Sequence, residues 1–421
     1  MSDTGPTVTP GDRRVLRDLA LQVTEAAADP AQAEKVRLWT ACNDLEPERA
    51  MVFANPQGGW KEIDAAWIEL ECQDPALRGF ELALRRKLVR RDHIPDDYPI
   101  LPTFEVAIQA TGAGYDDYGL KLGVQRTDQS DGAYQIKPAI RTEADLDRLH
   151  PRPIRLDPEG ADLQADLAHG IFGDLLRVER RGRMSWRYGL TRVLVHMRGI
   201  DQMMMDMFDN PGLLHRLQTF LRDDYQRELD LYEQAGEVSL NNIPDHLTGS
   251  GGLCPTTDLP GEGHDGRASA RHCLCWGESQ ETVGVGPDPF DEFVLQYQLP
   301  LLNRFGLVDY GCCEPLDHKL DLLIAQIPHL RWLSISPWCD REFCAERIAG
   351  KYVYVYKPNP SRICSPTPDW EGAEAELRET LEIARSCPVH LVMKDTHTFC
   401  GEPGRITRWA EMASRVAAEA A

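Results

Sequence analysis

Two rhythms of apolar and polar positions alternate along this chain. Short runs in which nearly every residue is apolar or β-branched read as buried strands: Arg49–Ala54, Val238–Asn241, Gly306–Tyr310, Arg331–Ser336, Tyr352–Tyr356 and Val389–Lys394. Between them apolar residues recur at helical spacing. Asn210-Pro211 opens a long helix with Leu214, Leu217, Leu221, Tyr225 and Leu229 on one face and Gly236 as its stop. Asp288-Pro289 opens another, carrying Phe290, Phe293, Tyr297 and Leu301 and ending at Gly306. Pro300 is expected to kink its last turn, because proline lacks an N–H and its ring crowds the preceding carbonyl. Glu402-Pro403 starts the final helix, with Ile406, Trp409, Ala413 and Val416 on one face.

Strands alternating with helices across short links predict an α/β fold, and the architecture favoured is a (β/α)8 TIM barrel. An open doubly wound sheet ranks second, since the chain has no GxGxxG fingerprint. Residues 1–36 are expected to form a helical N-terminal extension and 37–421 the barrel domain. The stretch 241–272 is rich in Gly, Pro, Asp and Thr, and is long for a connection without its own secondary structure. Such loops usually act as lids or binding loops, so it is expected to be an active-site loop.

Composition narrows the function classes. The chain has 421 residues and a formal net charge of -21, which argues against nucleic acid and anionic membranes as partners and leaves a small-molecule substrate as the expectation. Met1 to Asp12 lacks the apolar core of an export signal, and no apolar run reaches the length of a membrane span. The expected location is therefore cytoplasmic, with the 12 cysteines reduced.

Chemistry concentrates at the ends of the late strands. Val308-Asp309-Tyr310-Gly311-Cys312-Cys313-Glu314-Pro315 ends a strand in two adjacent cysteines, whose diverging Cβ vectors disfavour a disulfide. They suit a metal site or one reactive thiolate. Cys339 follows the next strand, and Asp395, His397 and Cys400 follow the last. In a barrel these ends converge on one mouth, so Cys312, Cys313, Cys339 and Cys400 are the expected metal ligands, zinc being the metal that takes such donors. Glu278, Asp395 and His397 are the candidates for acid–base or positioning work. At Glu278 and Gln280 the plainer alternative is a polar loop before a capped helix. Lys357 ends the Tyr352 strand, where it would bind a carboxylate or stay solvated. Met203, Met204, Met205 and Met207 read as core packing. His272-Cys273-Leu274-Cys275 lacks a matching second half for a metal site. The Arg177 to Arg187 stretch reads as exposed, with Arg187 or Arg192 able to reach an anionic substrate.

Taken in order, several segments resemble the uroporphyrinogen decarboxylase and cobalamin-independent methionine synthase superfamily. They are Arg37 to Arg49 followed by a strand and Trp60, Pro138 to Leu146, the Asn210-Pro-Gly-Leu-Leu helix start, and Pro289 to Pro300 leading into the Cys312 strand. The likeness spans roughly residues 35 to 420. It implies a barrel and one of two activities. In one branch a tetrapyrrole is decarboxylated without cofactor, using an arginine-rich N-terminal motif not found here. In the other, zinc held by a His-x-Cys strand end, a glutamate and a late Cys-Gly activates a thiol for methyl transfer. Tyr310-Gly311-Cys312 matches the first element with tyrosine for histidine, and Cys400-Gly401 matches the last. The glutamate has no counterpart near Ser336, although Cys339 lies close by. The resemblance thus implies a zinc-dependent methyltransferase that draws on a corrinoid, folate or other methylated donor, with a corrinoid protein as partner. A metal-independent decarboxylase acting on a small carboxylic acid is the alternative.

Overall fold

Seven strands form one parallel sheet: β1 Met51–Ala54, β2 Arg187–Tyr188, β3 Leu274–Gly277, β4 Leu307–Tyr310, β5 Leu330–Ile335, β6 Val353–Tyr356 and β7 Val389–Met393. The computed structural model describes residues 7–120, 123–126, 134–247 and 249–421. Neighbours run β1-β7-β6-β5-β4-β3-β2, and every adjacent pair is parallel. Helices follow the strands: Pro211–Ala235 between β2 and β3, Gln296–Leu302 before β4, Leu320–Gln326 before β5, Arg341–Ile348 before β6, Trp370–Ile383 before β7 and Gly404–Glu419 after it. β1, β4, β6 and β7 are buried throughout, as a parallel sheet covered on both faces requires. The protein is therefore α/β.

The expected helices form with the expected ends. Pro211–Ala235 stops at Gly236, whose φ of 73° is left-handed and whose N–H donates back to Tyr232 and Glu233 carbonyls. Near Pro300 the outcome is different in kind. The helix widens into a π turn at Asp291–Leu295 and then runs through Pro300 as Gln296–Leu302.

Five of the six expected strands appear, and Val238–Asn241 does not. It makes only an isolated bridge, Val238 to Arg183. The Asn241 side chain does the pairing instead: Nδ2 donates to the carbonyls of Met184 (2.7 Å) and Leu274 (2.8 Å), and Oδ1 accepts from Leu274 N–H (2.9 Å). The thiol tract Cys273-Leu274-Cys275 belongs to strand β3 and its approach, with both cysteines buried in the core. β2 is two residues long, too short for its pattern to register.

Among the described residues, three apolar clusters hold the elements together. The largest packs helices against the sheet. A second joins helices Pro10–Ala27, Pro75–His93 and Pro158–Phe172 to a separate parallel pair, Thr103–Ala107 with Arg177–Arg181. A third gathers Met51, Phe53, Leu274, Leu307, Trp332, Val353, Val355 and Val392 around Trp39 of helix Pro30–Asn43. Buried beside Trp39, Asn43 donates from Nδ2 to the carbonyls of Leu253 (3.0 Å) and Pro255 (2.8 Å) and accepts from Trp332 Nε1 (2.8 Å). Among the described residues, no helix is long and apolar enough to cross a membrane.

Replacing Asn43 with alanine strands two carbonyls and an indole N–H in a dry interior. The expected loss is about 2–4 kcal/mol, read as a lower urea midpoint with an unchanged slope. A loss under about 1 kcal/mol would show that this amide does not hold the helix to the sheet.

Candidate active site

The C-terminal ends of β3, β4 and β7 open into a cavity of about 750 Å³. β4 stops at Tyr310, and Gly311 takes a φ of 105°, which only glycine adopts easily. A Cβ there would also meet Leu316 Cδ1 at 2.6 Å. The turn breaks the alternation of the strand. Tyr310 points into the layer between sheet and helices, where its hydroxyl donates to Gln298 Oε1 at 2.7 Å, and Cys312 lines the cavity. Glu314 fastens the turn: its carboxylate accepts from Cys312 N–H (2.9 Å) and from Ser279 N–H at the end of β3 (3.0 Å). Trp276 Nε1 adds a third tie to the Gly311 carbonyl at 2.7 Å.

Around the Cys312 sulfur lie Cys313 Sγ at 3.5 Å and Lys394 Nζ at 3.6 Å. Lys357 Nζ donates to the Cys312 carbonyl at 2.6 Å and to Ser250 Oγ, which Lys394 Nζ also approaches at 3.4 Å. Both lysines and Ser250 are buried. This setting pulls the Cys312 thiol down to about 4: the hydrogen bond from Cys313 contributes most, the Lys357 and Lys394 charges add to it, and burial opposes them. Cys313 moves the other way, because it shares its proton with Cys312 and is buried beside that charge; its sulfur lies 3.0 Å from Asp395 Oδ2. The pair therefore carries one negative charge, on Cys312. Burial and the neighbouring Lys394 push Lys357 down. Lys394 itself is raised, since the negative charges of Cys312 and Asp395 outweigh its burial.

Glu278 closes the cavity beyond β3. Burial pushes its carboxyl well above the usual range, and Glu281 and Glu314 push it further, which favours the protonated form. It packs over Gly189, where a Cβ would lie 1.7 Å from its Oε1. Asp395 adopts a left-handed φ of 58° at the end of β7, with its N–H donating to Gln57 Oε1 at 2.8 Å. Strained backbone of this kind gathers at functional sites. The loop contributes Asp245, His246, Ser250 and Gly251 to the wall, whereas Leu253, Cys254 and Leu259 turn into the core.

Of the residues expected from sequence, Cys312, Cys313, Glu278 and Asp395 share this cavity. Cys339, Cys400 and His397 do not line it. Cys339 is buried under Leu316 N–H (3.3 Å) and Ser336 Oγ (3.6 Å), with Cys344 drawing its thiol down to about 7. Cys400 is exposed and directed at the Cys364 carbonyl at 3.3 Å, and His397 is exposed beside Gly58. The four cysteines therefore form no common donor set, and among the described residues no group of three or more His, Cys, Asp and Glu could hold a metal ion. Zinc does not fit these side chains as placed: Lys394 Nζ faces the Cys312 sulfur. Sequence reasoning missed Lys394 and Ser250. The available signal for Lys394 was a lysine closing a largely apolar strand one residue before Asp395.

No protein-family model and no curated protein matches the chain. Among solved structures, a methyltransferase from Methanosarcina mazei is similar at 13% identity and a TM-score of 0.46, over 88% of this chain and 96% of that one.

With its thiol near 4, Cys312 stays ionised as pH falls until that value is approached. Its alkylation by iodoacetamide, followed by peptide mass spectrometry, is expected to hold a constant rate from neutral pH to about pH 5. Lys394→Met removes a cation and should raise the midpoint by about one unit or more. A wild-type midpoint near the ~8.5 of a free thiol would remove the case for a preformed thiolate.

Proposed function

We propose that this chain is a thiolate-dependent group-transfer enzyme that moves a methyl or other small alkyl group by way of Cys312. The observation that carries this reading is the Cys312 sulfur at the cavity floor with Lys394 Nζ 3.6 Å away. A buried ammonium group does here what a metal does in many thiol-activating sites: it favours the anion that attacks carbon. The frame this reading takes is a (β/α)8-type barrel, with β1 and β2 as the two edges of the parallel sheet. The strands follow one another in chain order around the sheet, and the first, β1, pairs with the last, β7. Inward residues from β1, β3, β4, β5, β6 and β7 also meet in one cluster around Trp39, as a curled sheet allows.

In the forward step the Cys312 thiolate attacks the alkyl carbon. The sulfur–carbon bond forms, the bond from carbon to its carrier breaks, and the carrier leaves with the electron pair. Where the leaving atom is nitrogen or oxygen, as in a methylated folate, neutral Glu278 supplies the proton and becomes a carboxylate. Where it is the cobalt of a methyl corrinoid, no proton is needed. The thioether is discharged by the same displacement in reverse, which requires a nucleophile as strong as a reduced corrinoid. Lys394 holds the thiolate in place, and Cys313 keeps its proton and so does not compete for the alkyl carbon.

Incubation with methylcobalamin or a methylated folate is expected to add the mass of one methyl group at Cys312, by intact-mass and peptide analysis. Cys312→Ser should abolish the adduct, Glu278→Gln should slow transfer from the folate by about 10²-fold, and strong chelation should leave the rate unchanged. Turnover that persists in Cys312→Ser would sink the mechanism. Glu278 favours a second reading, a metal-independent decarboxylase, because a neutral buried acid is suited to protonating the carbanion left by loss of carbon dioxide. That reading predicts solvent deuterium in the product and an active Cys312→Ser enzyme.

A further inference from the structure

We propose that Arg187 and Arg192 form an oxyanion subsite in the cavity wall, so that the molecule acted on at Cys312 carries a carboxylate or phosphate group. The inference rests on the cavity being the reaction site and extends it to the class of substrate.

The charges lining the cavity carry the argument. Its cations are Arg152, Arg183, Arg187, Arg192 and Lys394. Arg152 is committed to Asp224 (2.6 Å) and Glu228 (2.9 Å), Arg183 to Glu228, and Lys394 to Asp395 (3.7 Å) as well as the Cys312 sulfur. The carboxylates are equally committed. Glu228 serves the two arginines, Asp245 pairs with Lys87 at 3.7 Å, Asp395 takes Lys394, and Glu278 packs over Gly189 and accepts from Gln280 N–H at 3.0 Å, with burial raising its carboxyl. Among the described residues this leaves Arg187 and Arg192 without an ion-pair partner, in a chain whose net charge is -21.

Both guanidinium groups are nonetheless positioned. Arg187 lies over the Trp276 ring at 5.7 Å, and that ring is fixed by its bond to the Gly311 carbonyl at 2.7 Å. Arg192, in the first turn of helix Leu190–Arg198, lies 6.0 Å from the Tyr115 ring. Both rings line the cavity. His246, on the same wall, is drawn down to about 4 by burial and then by Arg187 and Arg181, so it adds no competing charge. Two planar forks facing one cavity suit an oxyanion, which accepts parallel N–H bonds from a guanidinium. Because both arginines are exposed, each contact should be worth what a solvated ion pair is worth, no more.

The test uses ω-bromocarboxylates of increasing chain length and their primary amides as alkylating probes of Cys312. At the length that spans the subsite, the acid is expected to react faster than its amide by about fivefold. In Arg187→Gln/Arg192→Gln that ratio should fall to near one. A ratio of one at every length in the wild type overturns the proposal, as does a preference that survives the double substitution and so belongs to Lys357 and Lys394. If no probe alkylates Cys312, the thiolate reading fails by itself. The subsite is then judged by thermal stabilisation with succinate and with inorganic phosphate. Stabilisation by either that is lost in the double variant supports the subsite and identifies the oxyanion, and its absence with both overturns it.

Discussion

The constraint that organises this protein is a negatively charged sulfur opposite a buried ammonium group. Lys394 sits almost out of solvent at the end of β7, and a cation taken from water without a partner would deprotonate or disrupt the site. The Cys312 anion and Asp395 keep it charged. Reciprocally, Cys312 ionises because Cys313 donates to it and the lysines surround it. Neither half of the pair is tenable alone, so the ends of β4 and β7 must meet at a fixed separation. Ser250, reached by both lysines, draws the long loop into the same arrangement.

Holding those ends in place falls to side chains standing in for backbone. Asn241 replaces a strand ladder between the Met184 segment and β3, Asn43 ties the Trp39 helix to β5, and Glu314 bridges β3 and β4. Each is buried and fully engaged, which is the condition under which a polar core residue adds order rather than cost. The left-handed turns at Gly311 and Asp395 then aim the reactive groups into the cavity.

The carboxylates of the site show one functional group put to different uses by environment. Glu314 accepts two backbone N–H bonds and acts as a brace. Glu278, packed over Gly189 near two other carboxylates, is pushed well above the usual carboxylate range, which favours its protonated form. Asp395 faces Lys394 at 3.7 Å and helps to keep that ammonium charged. Separating protonation states in this way is how a single cavity holds a nucleophile and a proton donor at the same pH.

Much of the scaffold was legible in the sequence, because strand and helix periodicity, proline starts and glycine stops are local properties of consecutive residues. Five strands, the long helices and the chemistry after β4 were readable in this way. So were the thiol pair and Asp395, as polar residues ending apolar strands. Tertiary structure decided which strand-end residues share a cavity. Cys312 and Lys394 are 82 positions apart, and nothing local marks Lys394 as the partner of a thiolate. The expected four-cysteine set failed for the same reason. Strand ends converge as a group, but the direction of each side chain depends on the turn that follows. Gly311 turns Cys312 inward, while the chain past Thr396 carries His397 and Cys400 out to the surface. Local residue patterns specified the alternation of elements and the stock of reactive groups. The three-dimensional packing determined that a lysine stands against Cys312, because burial and charge pairing act between residues brought together only by folding.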